Sequence, residues 1–339
     1  MSKQVLVTGG TGYIGSHTVV ELIQSGFEVV IIDNLSNSER SVLSRIEKIT
    51  GVTPAFEEFD LCDASQVKKF IASYPNIGSI IHFAASKAVG ESVEKPLLYY
   101  RNNLQSLLNL LEAMNSGWAR NIVFSSSCTV YGQPDKLPVT EDAPIKPAES
   151  PYGNTKQISE EIIRDACKVN SGINAIALRY FNPVGAHESA EIGELPIGVP
   201  ANLLPFITQT AAGIRSQLSV FGDDYDTPDG SCIRDFIHVV DLAKAHVIAL
   251  KRMIGKNQKS NYEFFNIGTG NGISVLQLIK AFEEITGQKL NYKIVDRRPG
   301  DIEKIWAETT LANHTLGWKA ELGIEEMIRT AWNWQKKLG

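Results

Sequence analysis

Thr8-Gly9-Gly10-Thr11-Gly12-Tyr13-Ile14-Gly15 follows the apolar run Val5-Leu6-Val7 and opens an amphipathic stretch over about 13–25. Gly10, Gly12 and Gly15 match G-x-G-x-x-G, and Gly9, Gly12 and Gly15 match the wider G-x-x-G-x-x-G. Positions without a side chain let the backbone turn tightly after a strand and bring the start of a helix close to a pyrophosphate. Glycine-rich turns are common, so the context decides: a strand before, a helix after, and a second strand next. That second run, Val29-Val30-Ile31-Ile32, ends at Asp33, 18 residues past Gly15. An acid there accepts from a ribose diol and repels a 2′-phosphate, which favours NAD over NADP. The competing reading of Asp33-Asn34 is a helix cap or a solvated turn.

Outward from this stretch, short apolar runs alternate with helical patterns. Ser79-Ile80-Ile81-His82-Phe83 and Asn121-Ile122-Val123-Phe124 read as further strands buried on both faces, with helices near 63–73, 95–116 and 151–170 and a strand at Ala175-Ile176-Ala177-Leu178. This alternation predicts a parallel, doubly wound sheet. From about 180 to 235 the chain is rich in proline and glycine. Helices near 239–254, 274–286 and 323–337 and a strand near 262–266 follow. The expected division is a nucleotide-binding domain over 1–180, with segments near 235–267 returning to it, and a smaller mixed α/β lobe over 181–339. Without a repeat or flexible linker, the two are expected to share an extensive interface.

The 339 residues carry 33 basic and 38 acidic side chains, a formal charge of −5, which gives no reason to expect nucleic acid or an anionic membrane as partner. Phosphates must therefore be met by local donors, which implies a small ligand. A strand almost at the first residue leaves no room for a secretory leader, and no apolar run approaches the roughly 20 residues of a spanning helix. Cys62, Cys128, Cys167 and Cys232 are scattered, and the six histidines have no metal-ligand spacing. A cytoplasmic protein with reduced thiols and no metal is the expectation.

Ser125-Ser126-Ser127 lies at the carboxyl end of a strand, the edge where such sheets bind ligands. Farther on, Ser150-Pro151-Tyr152-Gly153-Asn154-Thr155-Lys156 opens a helix. Tyr152 and Lys156 are four apart and share a helical face. An ammonium near a phenol favours the phenolate and bound oxidised nicotinamide, also cationic, would push the same way, so a base that works near neutral pH is expected. A tyrosine and lysine at this spacing also arise by chance on surface helices. No G-x-S-x-G elbow is present, which argues against a nucleophilic serine.

Joined to the glycine pattern, the strand-end serine and Tyr-x-x-x-Lys resemble the extended short-chain dehydrogenase/reductase family, with its Rossmann-type domain and smaller substrate lobe. Within it, Lys87-Ala88-Val89-Gly90-Glu91-Ser92, Tyr180-Phe181-Asn182-Pro183-Val184-Gly185-Ala186-His187, Arg234-Asp235-Phe236-Ile237-His238-Val239 and Arg297-Arg298-Pro299-Gly300-Asp301 resemble signatures of the UDP-glucose 4-epimerases, over essentially the whole chain. The resemblance implies Tyr152 as base, Lys156 as its tuner and ribose ligand, and Ser127, rather than Ser125 or Ser126, as the hydroxyl partner. It implies NAD held by Gly9, Gly12, Tyr13, Ile14, Gly15, Asp33, Asn34, Asn37, Ser38, Asp60, Leu61, Phe83, Ala84, Lys87, Asn102 and Phe181, together with the catalytic three. It places the UDP-sugar on Lys87, Asn182, Asn202, Leu203, Val220, Phe221, Arg234, Arg298 and Asp301. Bland readings compete: ion pairs of Arg234 and Arg298 with Asp235 or Asp301, a turn cap for Asn182, a solvated charge for Lys87, a structural role for His82, and packing for Cys128, Trp306, Trp318, Trp332 and Trp334.

The implied reaction is reversible epimerisation of UDP-glucose and UDP-galactose at C4 through a transient 4-keto sugar, with the cofactor regenerated each cycle. Two rivals share the scaffold. A sugar-nucleotide 4,6-dehydratase needs acids directly after the catalytic hydroxyl, where this chain has Cys128 and Thr129. A non-catalytic NAD(H) sensor would not need Ser127, Tyr152 and Lys156 together. Ile305 falls where a bulky aromatic in relatives excludes N-acetylated sugars, which leaves use of N-acetylhexosamines open. The helices near 95–116 and 151–170 resemble the pair that forms a homodimer interface in the family, although their amphipathicity equally suits packing within one chain.

Overall fold

The computed structural model describes residues 3–298 and 301–339. Its first part runs β1 (Gln4–Thr8), α1 (Tyr13–Gln24), β2 (Glu28–Asp33), α2 (Ser41–Thr50), β3 (Ala55–Glu58), α3 (Ala64–Ser73) and β4 (Ser79–His82). It continues through α4 (Val89–Glu94), α5 (Pro96–Asn115), β5 (Asn121–Ser127), α6 (Pro151–Val169) and β6 (Asn174–Tyr180). The remainder comprises β7 (Asn182–Val184), α7 (Leu203–Ala211), β8 (Leu218–Phe221), β9 (Ile233–His238), α8 (Val239–Ile254) and β10 (Tyr262–Ile267). Last come β11 (Gly272–Ser274), α9 (Val275–Thr286), β12 (Tyr292–Val295), β13 (Lys304–Ile305) and α10 (Ile324–Leu338).

Seven strands form one parallel sheet in the order β3-β2-β1-β4-β5-β6-β10. The chain winds outward from β1 to β3, then returns to β4 on the other side of β1. Between β1 and β4 the strand order reverses, and a crevice opens beyond their carboxyl ends. The period-two alternation of a strand sorts the core. Leu6, Val30, Ile80 and Ile122 pack with Phe70 of α3 and Leu107 and Leu110 of α5 on one side. Val5, Val7, Ile31, Ile81 and Val123 pack with Val19 and Leu22 of α1 and Leu242 and Leu250 of α8 on the other. Each such side chain, fully buried, contributes on the order of 1.5–3 kcal/mol.

The expected helices over 239–254 and 274–286 and the strand near 262–266 are present as α8, α9 and β10. Both α8 and β10 return to the seven-stranded sheet. The other lobe has its own core, built from Leu204 and Ile207 of α7, Val220 of β8, Phe236 of β9, Leu278 and Phe282 of α9, and Met327 and Ile328 of α10. There β9 pairs with β7 and β13 in parallel and with β11 antiparallel, while β8 pairs with β12.

Candidate active site

Gly9 takes φ +70°, and a methyl group on it would lie 2.8 Å from the Ala84 nitrogen. At Gly15 an added Cβ would meet the Gly9 carbonyl oxygen at 2.1 Å. Glycine is therefore required at both positions for the loop to fold back against the start of α1. Gly12 precedes that helix without any side-chain cap, so the first-turn N–H groups face the crevice as donors. The Asp33 carboxylate accepts from Thr11 N at 3.2 Å, Leu35 N at 3.0 Å and Ser38 Oγ at 3.3 Å. It ties the ends of the first two strands together, combining the turn-capping reading with a place on the crevice wall.

The crevice is a cleft of about 930 Å³. Gly9, Gly12, Tyr13, Ile14, Gly15, Asp33, Asn34, Asn37, Ser38, Asp60, Leu61, Phe83, Ala84, Lys87, Asn102, Tyr152, Lys156 and Asn202 all line it. Ser127, Phe181, Asn182, Leu203, Val220, Phe221, Arg234, Arg298 and Asp301 do not. The donors of the glycine loop, the acid at the second strand end and the apolar wall of Phe83 and Leu61 fit a dinucleotide.

Ser150 caps α6 by accepting from Gly153 N at 3.1 Å, and Pro151 occupies its first turn. This fixes the helix start just ahead of Tyr152. Tyr152 is 7% and Lys156 4% exposed. Lys156 Nζ donates to the Ser125 carbonyl at 2.7 Å and lies 5.8 Å from the centre of the Tyr152 ring. Ser127 Oγ accepts from Thr129 N at 3.2 Å, and its hydroxyl works to lower the pKa of the Tyr152 phenol.

One expectation is corrected. Tyr152 does not have a lowered pKa in this structure. Burial holds it well above its ordinary 10, against which the Ser127 hydrogen bond works. The Lys156 ammonium is directed at a carbonyl rather than at the phenol, and burial lowers its own pKa to about 8, with Glu160 opposing. His82 is structural. Its Nδ1 pairs with Thr8 Oγ1 at 2.7 Å, and burial brings its pKa to about 3.

Arg234 and Arg298 converge on Asp301, at 3.7 and 2.6 Å. Asp235 is not their partner, because its carboxylate is taken by Thr269 N, Thr269 Oγ1, Gly270 N and Ala307 N. The Arg298 guanidinium sits 5.6 Å from the Phe221 ring centre, at the end of the strand that holds Val220. These residues form a second polar cluster on the smaller lobe. Pro299 and Gly300 of the same motif lie outside the described residues. Asn182 begins β7 opposite Phe236, and Leu203 begins α7. Phe181 packs with Cys128, Val130, Tyr131 and Ile305 behind Ser127.

Glu194, Ser125 and Tyr180, to which sequence reasoning gave no role, line the cleft, and Glu160 lies beyond Lys156 on the same helix. Glu194 lines the cleft, accepts from Asn202 Nδ2 at 2.6 Å and pairs with Lys87 at 3.4 Å. Ser125 and Tyr180 line it too, joined hydroxyl to hydroxyl at 2.7 Å. Glu160 lies one turn beyond Lys156 on α6, a spacing readable from the sequence. Nothing in the sequence singles out Glu194, whose partner Lys87 lies 107 residues away.

The family described as GDP-mannose 4,6 dehydratase matches residues 6–331. The chain is 50% identical over 333 residues to a UDP-glucose 4-epimerase of Erwinia amylovora, covering 98% of each. It is 48% identical over 343 residues to the Homo sapiens UDP-glucose 4-epimerase, covering 99% of this chain and 97% of that one. Among solved structures, the UDP-glucose 4-epimerase from Bifidobacterium longum in complex with NAD+ and UDP superposes with a TM-score of 0.94. It is 47% identical and covers 98% of both chains.

Proposed function

The chain belongs to the UDP-glucose 4-epimerases of the extended short-chain dehydrogenase/reductase family, and we propose that Tyr152, Ser127 and Lys156 carry the reaction in it. The activity is NAD-dependent, reversible 4-epimerisation of UDP-glucose and UDP-galactose through a transient 4-keto sugar. Bound NAD supplies the acceptor for the hydride leaving C4 and its donor on return to the opposite face. Tyr152 takes the proton of the sugar 4-hydroxyl and later gives it back, the positive charge of bound oxidised NAD joining that of Lys156 to favour the phenolate against burial. Ser127, whose oxygen already accepts from Thr129 N, has its hydrogen free to direct toward the phenol or the sugar oxygen. Lys156 places a cation beside the phenol and anchors the helix to the end of β5.

The observation that carries this reading is the convergence of Tyr152 and Lys156 on the same cleft wall as the glycine loop and Asp33. Incubation with UDP-galactose and no added cofactor should yield UDP-glucose over many turnovers. A stoichiometric demand for NADH would overturn the closed cycle, and a 4-keto-6-deoxy product would mean dehydration. The buried Cys128 and the Thr129 that follow Ser127 offer no acid for that elimination.

NAD is held by the domain over 1–180, with 235–267 returning to its sheet, and the UDP portion by the lobe over 181–339. Asn182, Asn202, Leu203, Val220, Phe221, Arg234, Arg298 and Asp301 are its ligands in this reading. Arginine forks suit the diphosphate and an exposed aromatic suits the base. Ile305, buried with Cys128 and Phe181, presents less bulk than a tyrosine would. Turnover of UDP-N-acetylgalactosamine below that of UDP-galactose is expected when both are run in one assay.

The molecule assembles as a homodimer through α5 and α6. Leu97 and Leu108 on α5 are 76% and 37% exposed and eleven residues apart, which places them on one face. Sedimentation of the protein and of Leu108→Glu tests this. Among the described residues no helix is long and apolar enough to cross a membrane, and four free thiols suit the cytoplasm.

A further inference from the structure

Tyr152, Lys156 and Glu160 follow one another at four-residue steps along α6, and the last two are each tied to a serine at the end of β5. Lys156 Nζ donates to the Ser125 carbonyl at 2.7 Å, and Ser126 Oγ donates to Glu160 Oε1 at 2.5 Å. Ser126 is fully buried, and Arg179 stands directly opposite it in the neighbouring strand β6. Arg179 closes on the same carboxylate, with Nη2 at 2.6 Å from Oε2 and Nε at 3.0 Å from Oε1. The guanidinium is held from behind by the Tyr131 hydroxyl at 3.0 Å and the Phe264 ring at 4.2 Å. Tyr262 donates to Glu160 as well, at 3.2 Å.

We propose that Glu160 is a positioning residue for the epimerisation, locking the end of β5 to the Tyr152–Lys156 face of α6 and placing a negative charge one helical turn beyond the buried Lys156 ammonium. This rests on the assignment of Tyr152 and Lys156 above. It accounts for the run of three serines, of which the reaction uses one. Ser127 serves the phenol, while Ser125 and Ser126 are the rungs that hold the strand in register with the helix.

The groups facing Lys156 are few. On its own helix they are Tyr152 and Glu160. From β5 come the Phe124 ring at 4.9 Å and the Ser125 carbonyl, and from β4 comes His82, which is neutral. Tyr180 of β6 lines the same cleft and hydrogen-bonds the Ser125 hydroxyl. Glu160 is the one carboxylate among them, and its charge favours the protonated lysine against the burial that opposes it.

The test is the pH profile of UDP-galactose turnover by the NAD-loaded enzyme, with Tyr152→Phe as reference. For Glu160→Gln the alkaline limb of kcat, where Lys156 loses its proton, is expected to move down by about one pH unit, with KM changed less than about threefold. Since Glu160→Gln leaves Arg179 buried without its partner, Glu160→Met combined with Arg179→Met tests the same limb without an orphaned charge. Ser126→Ala removes a single rung and is expected to lower kcat about threefold to tenfold at constant KM. If Tyr152→Phe is inactive while the limb of the folded Glu160 variants stays in place, or Ser126→Ala keeps full kcat, the role of Glu160 is overturned. If Tyr152→Phe retains activity, it is the assignment of the base that falls.

Discussion

The side-chain amide of Asn202 donates to Glu194 at 2.6 Å. A carboxylate can only accept, so Nδ2 must face Glu194 and the Asn202 carbonyl oxygen must point away from it. The same Glu194 oxygen pairs with Lys87 at 3.4 Å, and Trp334 Nε1 holds the Glu194 backbone carbonyl at 2.9 Å. One acid on the smaller lobe thus orients two side chains assigned to the ligands. Glu194→Ala frees the Asn202 amide to rotate and Lys87 to move. KM for UDP-galactose is expected to rise about tenfold with kcat nearly unchanged, roughly 1.4 kcal/mol of binding. Initial rates across substrate concentrations decide it, and an unaltered KM would remove Glu194 from the site.

Tyr152→Phe keeps the ring that lies beside the Lys156 ammonium and deletes only the hydroxyl. Turnover should fall by about 10² to 10⁴ while bound NAD is retained. Product formation from UDP-galactose and the cofactor content of the purified protein are the two readouts. Undiminished turnover would show that the proton goes elsewhere.

The sheet was legible because its central strands are apolar on both faces and its glycine loop sits between a strand and a helix. What escaped sequence reading lies at the edges. In β3, Ala55-Phe56-Glu57-Glu58 forms an outer strand with no apolar run to mark it. In α2, Val42, Leu43, Ile46 and Ile49 recur at helical spacing and pack on the core, a short pattern that sequence reading passed over. Strand β9 carries Arg234 and Asp235, charges that read as a loop until Thr269, Gly270 and Ala307 are seen to satisfy the buried acid. In the site, Tyr152 and Lys156 were readable from their spacing, but the direction of the tyrosine shift was not. Proximity suggested that a cation would dominate, whereas burial of the phenol decides it. Glu194 depended on contacts between segments more than a hundred residues apart, which no local pattern reports.

Gly15→Ala tests the cradle at the start of α1. Its methyl group would sit 2.1 Å from the Gly9 carbonyl oxygen and 2.9 Å from the Gly10 Cα, both backbone atoms that cannot swing aside. The loop must open, so a loss of stability of about 1–3 kcal/mol is expected together with loss of bound NAD. Thermal unfolding and cofactor absorbance measure the two effects. A protein that keeps its NAD would mean that the pyrophosphate does not rest on this turn.

Lys156→Met separates the stability of the site from its chemistry. Burial lowers the lysine from its ordinary 10.5 to about 8. The folded chain therefore holds this proton less tightly than the unfolded chain does. Between pH 8 and 10.5 unfolding takes up a proton, so this group makes the wild-type protein more stable as pH rises across that window. Below pH 8 the lysine is charged in both states and the full cost of burying the ammonium is present. Methionine matches the stem without the charge, and gives up the hydrogen bond to Ser125. At pH 7 the variant is expected to be inactive yet more stable by about 1–3 kcal/mol, an advantage that shrinks toward pH 10. Denaturant unfolding at pH 7 and pH 9.5 measures both values. A variant less stable at pH 7, or a gap that widens with pH, would mean that the ammonium is better compensated in the fold than its surroundings indicate.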